Sequence, residues 1–175
     1  MDLAKAYSPL IRRATSEDLI RLHPVIERAY RGESARAGWT HEADLIPEGE
    51  RTDLETLAAI VADPAARLLI AFDGENPIGC VTVTDKGDGF AYLGLLCVDP
   101  TLQAAGLGKQ LVHAAEAIAR DTFGATHMEM TVIEQRTELI AFYERRGYAA
   151  SGKRRDFPVP MTPPLFMTVL VKPLG

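Results

Sequence analysis

The residues most able to do chemistry lie in Gln103-Ala104-Ala105-Gly106-Leu107-Gly108-Lys109, which follows an apolar run, Leu93 to Val98, and a stop at Asp99-Pro100. Glycines at 106 and 108 let backbone approach a ligand closely, and the amides that open the helix behind them lack intrahelical acceptors. Such amides favour anions, and a pyrophosphate fits them without a metal. Two familiar phosphate motifs fail on the same residues. A P-loop needs Ser or Thr after its lysine, but Gln110 follows Lys109. A dinucleotide fingerprint needs a third glycine near Leu111, and none is there. A lone Gly-x-Gly does no more than shape a helix entry, so the elements around it decide its meaning.

Those elements belong to a chain of 175 residues, 47% hydrophobic and 25% charged, which is the balance of one folded domain spanning 1–175. Net charge is -5, which argues against a nucleic-acid partner. No apolar run reaches membrane-spanning length and Met1 to Lys5 lacks a signal-peptide pattern, so a cytoplasmic protein without a membrane partner is expected. Cys80 and Cys97 sit in apolar, strand-like runs and read as small buried hydrophobes; their spacing excludes a CxxC metal site, and no metal is expected.

The pattern alternates strands and helices. Leu10 to Arg13 reads as a strand, and Thr15 with Asp18 as a capping-box start to a helix carrying Leu19, Leu22, Ile26 and Tyr30 inward, kinked or split at Pro24. A second helix covers Asp53 to Ala62, with Leu54, Leu57, Ala58 and Val61 on one face. Three antiparallel strands follow, at Arg67 to Phe72, Ile78 to Thr84 and Phe90 to Val98, joined by Gly-containing turns. A helix from Gly106 to Phe123 buries Leu107, Leu111, Ala115, Ile118 and Thr122 and leaves His113, Glu116 and Arg120 to solvent. Next come a strand to Ile133, a helix from Arg136 to Arg146 capped by Gly147, and late strands at Tyr148 to Ser151 and Leu165 to Val171. The class is mixed α/β.

In this setting Gln103-x-x-Gly106-x-Gly108, after Leu96-Cys97-Val98, resembles the acetyl-CoA-binding signature of GNAT N-acetyltransferases. Ala141-Phe142-Tyr143-Glu144-Arg145-Arg146-Gly147-Tyr148 is similar to the family's second signature. The resemblance covers about Tyr92 to Ser151 and implies a GNAT-like acyl-CoA N-acyltransferase fold: a central, mixed but mostly antiparallel sheet flanked by helices, with splayed fourth and fifth strands. It implies a pantetheine arm in that cleft. Leu96, Cys97 and Val98 would hold the thioester and arm, and Gln103, Ala104, Ala105, Gly106, Leu107, Gly108 and Lys109 the pyrophosphate. An amide aimed at the thioester carbonyl would stabilise the oxyanion. Acetyl-CoA is then the co-substrate and a primary amine of a small molecule or peptide the acceptor, acylated by direct attack in a ternary complex. The competing reading is a catalytically silent acyl-CoA-binding or sensing module.

Tyr143 stands where the family places a tyrosine near the leaving sulfur, and it is the candidate acid. Arg136 replaces an asparagine common in the family; it pairs with Glu134 or Glu138 at the surface, or reaches a phosphate or an acidic substrate. For the base, Tyr92, Glu134, His41, Glu42 and Asp44 are all candidates. Trp39, His41, Glu42 and Glu134 are candidates for acceptor binding, with Trp39 enclosing a cationic amine and Glu42 or Asp44 pairing with it. Arg36 and Arg51 nearby permit the opposite charge. An exposed strand at Leu165 to Val171 offers an edge for a homodimer.

Overall fold

A computed structural model of the chain describes residues 9–31, 35–36, 42–46 and 49–175, with 103–105 described as backbone only. Among the described residues seven strands form one sheet: β1 (Leu10–Arg13), β2 (Ala66–Asp73), β3 (Asn76–Gly87), β4 (Phe90–Val98), β5 (His127–Ile133), β6 (Ala149–Asp156) and β7 (Phe166–Pro173). Their order is β1-β2-β3-β4-β5-β7-β6, and only the β4–β5 pair is parallel. Among the described residues the helices with complete bounds are α1 (Leu19–Tyr30), α2 (Leu54–Ala62), α3 (Leu107–Asp121) and α4 (Thr137–Glu144), with short 3-10 turns at Ser16–Asp18 and Pro100–Ala105.

Both faces of the sheet are covered, because its central strands are apolar on both. Leu68, Ile70 and Phe72 of β2 pack with Leu22, Ile26 and Leu57 of α1 and α2. Their neighbours Leu69 and Ala71 pack with Leu107, Leu111 and Ala115 of α3. Residues alternate sides at period two, so one strand serves two layers. The turn from β3 to β4 puts both Asp88 and Gly89 at positive φ, the geometry that matches strand twist in a tight hairpin.

Several expectations need correction. Pro24 does not split α1, which runs unbroken through it. The lost hydrogen bond is offset by the burial of Leu22, Val25, Ile26 and Ala29 on the helix's sheet-facing stripe. On α2 only Leu57 is buried, and Leu54 is exposed. On α3, Thr122 faces solvent while Glu116 is buried. Its carboxylate accepts from the Tyr148 hydroxyl at 2.9 Å and pairs with Lys172 at 2.9 Å, which satisfies the charge inside the fold. The segment at Leu165 to Val171 is no edge: β7 lies between β5 and β6, and β6 takes the outer position.

Other readings hold. The Asp18 carboxylate accepts from the Thr15 N–H at 2.7 Å and from Arg12, which holds its pKa well below the usual carboxylate range. Gly147 adopts φ +96 behind α4. Cys80 and Cys97 are buried, free and opposite one another across β3 and β4, with sulfurs 3.5 Å apart. The sulfur contact, then burial, pushes the Cys80 thiol pKa up.

Candidate active site

The site begins where β4 and β5 stop pairing. Their ladder holds only Phe90, Ala91 and Tyr92 against His127, Met128 and Glu129. Beyond it β4 continues to Val98 and β5 to Ile133 without pairing to each other. The divergence opens a cavity of about 1000 Å³. Across β4 the register with β3 also slips, from Thr82↔Gly94 to Cys80↔Cys97, so β4 holds an extra residue there. Leu95 takes φ +48 in this bulge, a conformation that costs a non-glycine residue about 1 kcal/mol or more.

The bulge leaves Leu95 and Leu96 outside both ladders. Their carbonyls are held by side chains instead. The Cys80 thiol donates to Leu95 O at 3.5 Å, and the Tyr30 hydroxyl to Leu96 O at 2.5 Å. A strand edge of this kind can accept an amide-bearing ligand in place of a neighbouring strand.

At the far end of β4, Asp99 accepts from the Thr101 N–H at 3.0 Å and sets the 3-10 turn that leads to Gly106. Gly106 adopts φ +78 and opens α3. Gly108 differs: a Cβ there would come no closer than 3.7 Å to any neighbour, Phe142 being the nearest. Neither the fold nor its packing requires glycine at 108, which leaves close approach of a ligand to the cavity wall as the physical reason for it. Lys109 and Arg146 line the same end, and the Arg146 guanidinium lies 3.7 Å over the Phe142 ring. These residues fit a diphosphate attached to an amide-bearing arm.

Leu96, Cys97, Val98, Gly106, Gly108 and Lys109 all line the cavity, and so does Tyr143. Leu107 points into the core. Gln103, Ala104 and Ala105 contribute backbone in the turn before Gly106. Tyr143 is 4% exposed, with its ring edge-on to Phe142 and Tyr148 at 5.3 and 5.8 Å. Burial raises its pKa well above the ordinary value, so the phenol is neutral and can only give a proton at working pH. In the same cavity wall, the Tyr92 hydroxyl meets Thr131 Oγ at 2.6 Å where the two strands part.

The acceptor end differs from expectation. Glu42 lines the cavity but is engaged by two arginines, Arg31 at 2.5 Å on one oxygen and Arg136 at 3.4 Å on the other. Arg136 is therefore buried beside Glu42 rather than exposed at the surface. Glu134 pairs with Arg154 at 2.6 Å and lies outside the cavity wall, in a smaller depression with Ile140 and Glu144. Asp44 is exposed and pairs with Arg36. Trp39 and His41 lie outside the described residues. Ile46, Phe157, Met161 and Met167 close the apolar side. The sequence places Tyr30 inward on α1 without its role and gives no sign of Arg31 in the cavity wall.

Comparison with known proteins agrees with this geometry. The model of the acetyltransferase (GNAT) family matches residues 28–148. The peptidyl-lysine N-acetyltransferase YjaB of Salmonella typhimurium is 25% identical over 126 residues, 70% of this chain and 79% of that protein. Among solved structures, the ribosomal-protein-S18-alanine N-acetyltransferase of Escherichia coli superposes with a TM-score of 0.74 at 16% identity, covering 96% of this chain and 95% of that one. The acetyltransferase YncA of Salmonella typhimurium, solved with acetyl-CoA, superposes at 0.71 and 16% identity over 96% of this chain and 95% of that one. With the matched region running from the end of α1 to the start of β6 and enclosing the whole divergent cleft, this chain belongs to the acetyltransferase (GNAT) family of acyl-transferring enzymes.

Proposed function

We propose that the chain acts as one domain that transfers the acetyl group of acetyl-CoA to a primary amine of a small molecule or peptide, inside the cavity between β4 and β5. Support for a single unit comes from the sheet, which joins strands from Leu10 to Pro173. The observation that carries the reading is the short β4–β5 ladder: it opens beside the bulge at Leu95 and Leu96, with the Gly108 helix start and Tyr143 both in the wall of the same cavity.

Acetyl-CoA, when bound, supplies an activated acyl carbon and a thiolate leaving group. The residues of the chain do the rest. Backbone of Leu96, Cys97 and Val98 positions the arm, and amides after Gly106, with Lys109, hold the pyrophosphate. As the amine nitrogen forms its bond to carbon and the carbon–sulfur bond breaks, Tyr143 donates its proton to the departing sulfur. The excess proton on nitrogen leaves to solvent through the polar pair Tyr92 and Thr131, and Tyr143 takes one proton back from solvent once CoA has left, so the cycle closes. Glu42 does not serve as base, since both its oxygens are held by guanidinium groups. Because the donor is an intracellular metabolite, we place the reaction in the cytoplasm.

Release of free CoA thiol from acetyl-CoA, measured across a panel of primary amines, tests this. Turnover with at least one amine, dependent on Tyr143, is the expected result. Tight CoA binding with no turnover across the panel would instead identify a silent acyl-CoA-binding module.

A further inference from the structure

We infer that Cys80 and Cys97 form a modification site: a peroxide that enters the cavity joins them as a disulfide, and the joined strands lose their hold on the acyl donor. The consequence for the donor rests on the acetyl-transfer reading, whereas the sulfur pair stands on its own geometry. The two residues face one another as Cα partners across antiparallel β3 and β4, and both thiols are free. Directly opposed antiparallel residues have Cα atoms about 4.5–5.5 Å apart, within the span of about 4.4–6.8 Å that a disulfide bridges. Their sulfurs already meet at 3.5 Å, on the face of the sheet packed by α1. Closing that gap to a bond of about 2.05 Å asks for a shift of roughly 1.5 Å, shared between two strands.

Access and consequence both come from the bulge in β4. Cys80 is fully buried, but Leu95 and Cys97, with which its thiol makes hydrogen bonds, border the cavity. A small oxidant in that space therefore meets Cys97 first. The Cys97 thiol attacks one peroxide oxygen, which breaks the O–O bond and gives a sulfenic acid and one water. The Cys80 sulfur then attacks the Cys97 sulfur and displaces hydroxide, which takes the Cys80 proton and leaves as a second water. Both sulfurs are oxidised and the peroxide is reduced, with no other reactant. The proton lost is the one that Cys80 donates to the Leu95 carbonyl at 3.5 Å, so the bulge gives up a side-chain donor as its strand is drawn toward β3. Leu95 holds φ +48 there, and the neighbouring backbone of Leu96 and Cys97 is the wall proposed to position the pantetheine arm. One bond thus distorts the donor's seat from behind while leaving the phosphate loop untouched.

Hydrogen peroxide added to the intact protein, and removed before measurement, tests both parts. Intact mass should fall by two hydrogens and recover on treatment with a dithiol. Trypsin cuts after Lys86, between the two cysteines, so the oxidised protein should yield the Cys80 and Cys97 peptides joined under non-reducing conditions. Saturating acetyl-CoA should slow the joining about tenfold by filling the space through which the oxidant arrives. Calorimetry should show acetyl-CoA bound about tenfold more weakly after oxidation, with affinity restored by reduction. Cys80→Ser keeps a hydroxyl donor for the Leu95 carbonyl and removes the second sulfur. It should give no joined peptides, and a diketone that traps sulfenic acids should label Cys97. Cys80→Ala replaces it if serine prevents folding. Two free thiols after treatment, a link between copies of the chain, or oxygen on Cys97 without a link in the wild type each overturn the site. A mapped disulfide with unchanged acetyl-CoA affinity overturns its control of the donor. Failure of the reduced protein to bind acetyl-CoA overturns the acetyl-transfer reading, and the joined peptides then decide the sulfur pair alone.

Discussion

The Tyr30 hydroxyl at the end of α1 donates to the Leu96 carbonyl in the β4 bulge at 2.5 Å. The bond ties a helix on one face of the sheet to the segment that leaves both neighbouring ladders. Burial raises the Tyr30 pKa far above its ordinary value and keeps it a donor. Tyr30→Phe should strand that carbonyl and cost about 1–3 kcal/mol of stability. It should also raise KM for acetyl-CoA several-fold, about 1 kcal/mol in binding terms. Thermal melting and steady-state kinetics separate the two, and an unchanged KM would reduce the bond to a structural one.

Gly108→Ala sets stability against ligand affinity. The new Cβ meets nothing nearer than 3.7 Å, and Ala is the better helix former by up to about 1 kcal/mol. Melting temperature should hold or rise, whereas CoA affinity by calorimetry should fall about tenfold, because the methyl occupies the space of the approaching phosphate. Unchanged affinity would mean that the loop merely shapes a helix entry.

Tyr143→Phe should lower kcat by about a hundredfold with little change in KM for acetyl-CoA, the pattern of a lost proton donor. In the wild type, Tyr143 should impose no falling limb on the pH–rate profile at or below the ordinary tyrosine value of 10, because burial has moved its ionisation above that value. A loss of rate centred below pH 10 that vanished in Tyr143→Phe would contradict the raised pKa.

The same burial predicts how stability depends on alkali. Tyr30, Tyr143 and Tyr148 all have pKa values pushed up, chiefly by burial. Below the unfolded value near 10 both states keep these protons and stability is flat with pH. Above it the unfolded chain releases protons that the folded chain retains, so each tyrosine removes about 1.4 kcal/mol per pH unit. Urea midpoints measured from pH 8 to 11 should be level at first and then fall steeply.

Gly79→Ala should be more damaging to stability than Gly108→Ala. A Cβ at 79 would stand 2.7 Å from the Cys97 carbonyl and 3.2 Å from the Leu111 side chain, so the backbone of β3 or β4 must shift and Leu111 must give way. A loss of about 1–3 kcal/mol is expected, accompanied by weaker CoA binding because Cys97 belongs to the cleft wall.

What could be read from the chain was what local pattern encodes. Leu68 to Phe72 and the spacing of Leu107, Leu111 and Ala115 give strand and helix by periodicity, and Gly106-x-Gly108 behind a strand gives the anion loop. Long-range partners are another matter. Helical spacing puts Glu116 on the outer edge of α3, and only Tyr148 and Lys172, 32 and 56 residues away, make its burial tolerable. Arg136 is the same case, since its partner Glu42 lies 94 residues back. The β4 bulge left one trace, Gly94 in an apolar run, whose Cβ would press on Thr82 at 3.0 Å; a glycine there marks an irregular strand, but not the direction in which it opens.

The place of β7 between β5 and β6 has a consequence for the growing chain. A ribosome delivers β6 before β7, yet β6 has no place in the sheet until β7 has paired with β5. Any chain halted before residue 166 therefore holds β4 and β5 with one edge of β5 bare and the loop after β6 unanchored. The wall that closes the cavity at Met161 and Met167 comes into being only after β6 has been made, so the closed chamber exists only in chains in which β7 has formed.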